Sequence, residues 1–268
     1  MRAVAATVAL SALAAAALAA ASPLEFREVK VKAEPLAYRD GDLELEGHVA
    51  WDSAQAGPRP VVLVVHEWWG LGDHAKKSAE RLAARGYLGF AVDMYGKGKT
   101  TKDGKQAGEW SGAVKKDPAA IERRLRAALD ALKGRPEADL SRVACIGFCF
   151  GGTVSLEAAW AGLDLRAAVS FHGNPSGPPP EKAKGVKASV LVLHGADDPF
   201  VPKAAMDAFE ASMKEHRLDW MLVSLGGAVH SFTNPEADGS FNPGAKYHAV
   251  AAERSWTIAD AFLAERLK

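Results

Sequence analysis

The apolar residues of this chain fall in short continuous blocks, separated by longer stretches where apolar and polar positions recur at helical spacing. Leu43 to Val49 follows the turn dipeptide Asp40-Gly41 and reads as the second arm of a hairpin. Val61-Val62-Leu63-Val64-Val65 is an unbroken, mostly β-branched run, which predicts a strand buried on both faces. Asp73 is expected to cap a helix reaching about Arg85, where Gly86 ends it. Leu88 to Val92 is the next strand. Asp117-Pro118 puts a proline in a first helical turn, and that helix is expected to run to about Lys133. Further strands are predicted at Val143 to Ile146, Ala167 to Phe171, Val190 to Leu193 and Met221 to Leu225. Helices near 152–161 and 203–216 lie between them, and an amphipathic helix from about Lys246 to Leu267 closes the chain. This alternation implies an α/β fold, a mostly parallel sheet with helices on both faces. Asn174 to Pro180 and the charged, glycine-rich Lys97 to Lys105 read as loops.

The start of the chain differs from the rest. Arg2 precedes an Ala/Leu/Val-rich run from Val4 to Ala20, and Ala19-Ala20-Ala21 offers small residues for cleavage. Residues 1–21 are therefore expected to be a signal peptide, and 22–268 a single exported domain, periplasmic or secreted. The run is short for a bilayer span and alanine drives insertion weakly, so no membrane span is expected in the mature chain. Lys and Arg number 33 and Asp and Glu number 33, so the formal charge is zero and a nucleic-acid partner is not expected. Two cysteines exclude a disulfide framework and a four-thiolate zinc site. His66-Glu67-Trp68-Trp69-Gly70 begins like a zinc-protease helix, but Gly70 stands where the second histidine belongs. Gly98-Lys99-Thr100 ends like a phosphate-binding loop whose leading glycine is replaced by Asp93. No metal or cofactor is expected.

Gly147-Phe148-Cys149-Phe150-Gly151 carries the most chemistry. It follows an apolar strand and opens a helix, the setting of a nucleophile elbow. Such a turn is crowded, and Gly147, Gly151 and Gly152 relieve the crowding. The following helix N-terminus favours a developing anion. Cys149 is the candidate nucleophile, whereas Cys145 lies inside the strand and reads as a core thiol. A nucleophile needs a base and an orienting acid, here in the chain order nucleophile, acid, histidine. Asp198 follows one strand and His230 the next, both at carboxyl ends where open sheets place their chemistry. Asp197 rivals Asp198. His172 and His194 end strands nearby, and either line the site or cap the sheet.

His66-Glu67-Trp68-Trp69-Gly70, Asp93-Met94-Tyr95-Gly96, Gly147 to Gly152, Asp198-Pro199-Phe200-Val201-Pro202 and His230-Ser231-Phe232 together resemble the dienelactone hydrolase family of α/β-hydrolases. The resemblance runs over essentially the whole chain after residue 21. It implies an α/β-hydrolase fold with Cys149 as nucleophile, His230 as base and Asp198 as orienting acid. It also implies an oxyanion hole from the backbone N–H groups of Trp68 and Phe150, and in Glu67 an extra carboxylate that helps convert thiol to thiolate. A carboxylate fixed beside sulfur repels a thiolate, so Glu67 fits as a proton acceptor that moves or is neutralised. Two positions depart from the family. Lys97 and Asn234 stand where the dienelactone-cleaving enzyme looks to use arginines, so dienelactone itself is not the expected substrate. Lys97, Trp69 and Asn234 are expected to touch the substrate, and Trp68, Trp69 and Phe150 indicate an apolar or aromatic acyl pocket. The function expected is an exported hydrolase of an ester, lactone or thioester, working through an acyl-enzyme. The alternative is a non-catalytic binding protein that keeps the fold; a thiol redox role lacks a C-x-x-C pair.

Overall fold

The computed structural model describes residues 28–268, so the signal-peptide expectation lies outside the described residues. β1 (Val31–Asp40) and β2 (Leu43–Asp52) form the expected hairpin, with Gly41 supplying the positive φ of its turn. β3 (Arg59–Val65), α1 (Asp73–Ala84), β4 (Leu88–Val92), α2 (Gly104–Lys115), α3 (Pro118–Ala131) and β5 (Ala138–Phe148) follow. The second half contains α4 (Phe150–Trp160), β6 (Ala167–Phe171), α5 (Pro180–Ala183), β7 (Ser189–Gly195), α6 (Lys203–Glu215), β8 (Trp220–Leu225) and α7 (Ala249–Arg266). The eight strands form one sheet in the order β1-β2-β4-β3-β5-β6-β7-β8, parallel from β4 to β8.

That order decides where chemistry can sit. From β3 the chain steps outward to β4, then returns to β5 on the other side of β3. The loops leaving β3 and β5 therefore diverge, opening a crevice at the carboxyl ends of two central strands. Glu67 lies on the first of these loops and Cys149 on the second.

The central strands are apolar throughout because both faces are covered. Val61, Leu63 and Val65 join a core with Ile121 and Leu125 of α3, Val154 of α4 and Phe209 of α6. Val62 and Val64 point the other way, into a core with Leu82 of α1 and Trp256 and Leu263 of α7. The two-residue period of a strand thus hides inside a continuous run, since neither face meets water.

Three local expectations are corrected. Gly72, not Asp73, caps α1, and Asp73 is its first helical residue, where a carboxylate suits the helix dipole. The expected loop from Lys97 to Lys105 runs into a helix the pattern does not announce, α2, because Gly104, Gly108 and Gly112 lower its helix propensity. Asp103 nevertheless caps it, accepting from the amides of Lys105 at 2.8 Å and Gln106 at 3.4 Å. α7 begins at Ala249 because the three preceding residues pair elsewhere: Lys246 N donates to His230 O at 2.9 Å, Tyr247 N to Ala237 O at 2.7 Å and His248 N to Phe232 O at 3.1 Å.

The elbow glycines are required by close approach. A Cβ on Gly151 would run into the carbonyl oxygen of Val65 and lie 2.6 Å from that of His66. One on Gly147 would run into the carbonyl of Gly151. Backbone atoms at a central strand end cannot move aside. Gly151→Ala is expected to destabilise the fold by roughly 1–3 kcal/mol. At about 2–4 °C per kcal/mol the change is readable in a thermal melt. A variant melting with the wild type would show that α4 has room to retreat from β3.

Candidate active site

Cys149 joins β5 to α4 at φ 54° and ψ −115°, a backbone conformation that costs free energy in any residue but glycine. The turn is fixed from both sides. Its amide donates to Phe171 O at 3.0 Å and to His172 Nδ1 at 3.1 Å, and its carbonyl accepts from Gly152 N at 3.0 Å. His172 is itself at φ 41° and fully buried. Because its Nδ1 accepts from the Cys149 amide, Nε2 carries the hydrogen and meets Thr233 Oγ1 at 2.7 Å. Burial, reinforced by the charge of His230, holds the His172 ring well below the usual histidine range, which keeps it neutral. His172 thus neither faces the cavity nor caps the sheet: it ties the elbow to the loop after His230. Ser231, at φ 53°, is a third strained residue here, so three of the four non-glycine positive-φ residues among the described residues meet at this site.

His230 Nδ1 lies 2.7 Å from Asp198 Oδ2, while Asp198 Oδ1 accepts from Phe200 N at 2.8 Å. Asp198 is buried and Asp197 is exposed, which separates the two rivals. Cys149 and His230 line the same cavity, and Cys149 is among the groups that act on the His230 ring. Burial works against a charged ring, but a thiolate at Cys149 and the hydrogen bond to Asp198 outweigh it and raise His230 to about 10.

Glu67 is buried, yet every contact favours its charge. Ser231 Oγ donates to Oε1 at 3.1 Å and Asn234 Nδ2 to Oε2 at 2.6 Å. His74 Nδ1 sits 3.6 Å from Oε2, beyond hydrogen-bonding distance. Burial alone would raise this carboxyl, but the His74 ring beside it and the Ser231 hydroxyl hold it below the usual carboxylate range. Below it, His66 Nδ1 donates to Glu67 O at 2.5 Å and Nε2 accepts from Met94 N at 3.2 Å. Tyr95 Oη donates to Trp68 O at 3.1 Å, fixing the same loop.

A cavity of about 1290 Å³ opens over these groups, and Glu67, Trp69, Cys149, Phe200, His230 and Asn234 are among its walls. Trp68 lines it too, whereas the ring of Phe150 is buried against His66 and Tyr95 instead of facing the cavity. The expectation for Lys97 is corrected: it does not line the cavity, because its ammonium pairs with Glu46 at 2.9 Å. Asn234 does line it, but its amide is committed to Glu67. His74 was not singled out in the sequence, since an isolated histidine in a first helical turn carries no signal of the carboxylate it meets. No cluster of metal-ligating side chains occurs among the described residues.

The model of the dienelactone hydrolase family matches residues 45–267. The chain belongs to that family. It is a hydrolase of ester or lactone bonds with the α/β-hydrolase fold. The crystal structure of a dienelactone hydrolase-like promiscuous phosphotriesterase from metagenomic libraries is 42% identical, at a TM-score of 0.84, covering 89% of this chain and 99% of that one. The structure named m3DLH is 40% identical at a TM-score of 0.85, with the same coverage of 89% and 99%. A Caenorhabditis elegans protein, K02A2.1, is 41% identical over 146 residues, 53% of this chain and 91% of its own. No helix among the described residues is long and apolar enough to cross a membrane.

Proposed function

We propose that this dienelactone hydrolase family member is exported and cleaves an ester, lactone or thioester through an acyl-enzyme on Cys149. The observation that carries the reading is the 2.7 Å pair of buried Asp198 with His230 Nδ1, in a cavity that His230 and Cys149 both line. The Cys149 thiolate forms a bond to the substrate carbonyl carbon, and the carbonyl π electrons move to oxygen. The N–H groups of Trp68 and Phe150, the latter at the start of α4, receive that oxyanion. Collapse breaks the bond to the leaving group, which takes its proton from His230. Acylation also consumes the thiolate whose charge held His230 protonated. The ring then falls towards its ordinary range and accepts a proton from the water that attacks the acyl-enzyme. One group therefore serves as acid and then as base.

Glu67 steadies the segment after His230 through Ser231 and Asn234. For it to take the thiol proton, as the resemblance implies, it must first leave both donors. Export is supported by Arg2 and the apolar run after it. A phosphotriester, the substrate class named for one similar structure, also offers an electrophilic centre with a leaving group and joins the substrate panel.

The test is rapid-quench intact-mass spectrometry with activated aryl esters, followed by peptide mapping. The expected result is an acyl adduct on Cys149 that forms and decays at rates consistent with turnover. Turnover without an adduct, or an adduct elsewhere, sinks the mechanism. Absence of both favours the binding-protein alternative. The two halves of the cycle are also expected to differ in pH response. Acylation needs protonated His230, so its rate should hold through neutral pH and fall only near pH 10. Deacylation needs the neutral ring and should rise through the ordinary histidine range, near 6.5. A burst phase already falling at pH 7 would show that the ring is not held charged.

A further inference from the structure

We propose that the substrate carries an uncharged aryl group, seated against an aromatic wall made by Trp68, Trp69 and Phe241. The inference rests on the esterase reading for the fate of the substrate, but its own content is the class of ligand. The wall is built from two distant segments. Trp68 and Trp69 have ring centroids 4.6 Å apart, and Phe241 meets them edge-on at 6.1 and 5.2 Å. All three line the cavity that contains Cys149.

Phe241 is 62% exposed, more than any other large apolar side chain among the described residues. Leaving such a ring in water forgoes the favourable removal of its apolar surface from solvent. The loop that carries it is nevertheless stitched in place: Tyr247 N donates to Ala237 O at 2.7 Å, Lys246 N to His230 O and His230 N to Gly244 O. The ring is thus held at the cavity mouth by backbone bonds to the segment that carries His230. Phe200, 46% exposed and edge-on to His230 at 5.3 Å, adds a further aromatic surface to the cavity.

Helix α2 is shaped around the same wall. A Cβ on Gly104 would lie 2.8 Å from Phe241 Cζ and 3.7 Å from Trp68 Cη2, and one on Gly108 3.9 Å from Trp68 Cζ3. Gly104, the tighter position, lowers helix propensity and keeps space beside the rings.

Charge supplies the second half of the inference. Among the described residues no arginine lines the cavity. The ammonium of Lys97 is bound to Glu46 outside it, and the Asn234 amide is bound to Glu67. Glu67, Asp73, Glu236 and Asp238 line the cavity, against the cationic Lys76, Lys102 and protonated His230. A substrate carboxylate would meet more negative than positive charge and no bidentate partner. An uncharged aromatic ring suits the wall, through edge-to-face contacts with rings fixed beforehand.

Binding and turnover are to be measured separately on the full chain. The binding probes are 2-acetylnaphthalene, uncharged and not an ester, and 2-naphthoate, its anionic counterpart, followed by tryptophan fluorescence. The ketone is expected to bind at least tenfold more tightly than the acid. Phe241→Ala is expected to weaken ketone binding about tenfold and to lower kcat/KM for 2-naphthyl acetate by a similar factor, with little effect on methyl thioacetate hydrolysis. Trp69→Leu is the second variant, and thermal melts of both confirm a folded chain. Equal or tighter naphthoate binding, or wild-type binding and selectivity in both variants, overturns the proposal. So does naphthoate preference lost in Lys76→Ala. Expected probe binding with no turnover of any ester would defeat the esterase reading alone. Turnover indifferent to both variants would defeat the aryl inference alone.

Discussion

Cys149→Ala is expected to lower kcat/KM for activated esters by about five to six orders of magnitude, to the level of background hydrolysis. The same variant should show no acyl adduct by mass. The size of the effect follows from the division of labour at the site. Without sulfur nothing forms the covalent intermediate, and His230 also loses the charge that most raises its affinity for a proton. The fold should survive, because Cys149 is only partly buried and an alanine at this turn keeps the backbone bonds to Phe171 and His172. The comparison is made by single-turnover kinetics with a melt as control. Residual turnover within tenfold of wild type would remove Cys149 from the mechanism.

Asp198→Asn should lower kcat by about two to four orders of magnitude, whereas Asp197→Asn should leave it within a factor of two. The two side chains are neighbours in sequence, but only Asp198 is buried and 2.7 Å from His230 Nδ1. Asparagine there offers His230 an amide donor where it needs an acceptor, which turns the imidazole to the wrong tautomer. KM should change little, since Asp198 lies behind the histidine, away from substrate. Steady-state kinetics of the pair decides this. Equal losses in both variants would mean that the acid does not act through the ring.

Much of the architecture was legible in the chain. β4 and β6 begin and end where their apolar runs do, because a parallel central strand buried on both faces has no polar positions to blur its limits. β5 extends beyond its apolar core to Ala138, since its first residues are only partly buried and lack that signal. α2 lies hidden for the opposite reason: Gly104, the tightest of its three glycines, answers to Phe241, a side chain far away in sequence. A local propensity argument has no access to such neighbours.

The sequence by itself determined the alternation of strands and helices, the cysteine elbow and the order in which Asp198 and His230 follow it. These are properties of short segments, where steric limits at a turn and the two faces of a strand act on adjacent residues. Tertiary structure alone decided what those residues meet. Ser231 and Asn234 bind Glu67 from 164 and 167 residues away, His172 ties the elbow to the His230 loop, and Lys97 is drawn off to Glu46. The contacts at Glu67 and the elbow depend on the sheet order that returns β5 to the far side of β3, and the Lys97 pair on the antiparallel neighbours β2 and β4. Contacts set by the packing of distant strands leave no mark on the spacing of the residues that make them.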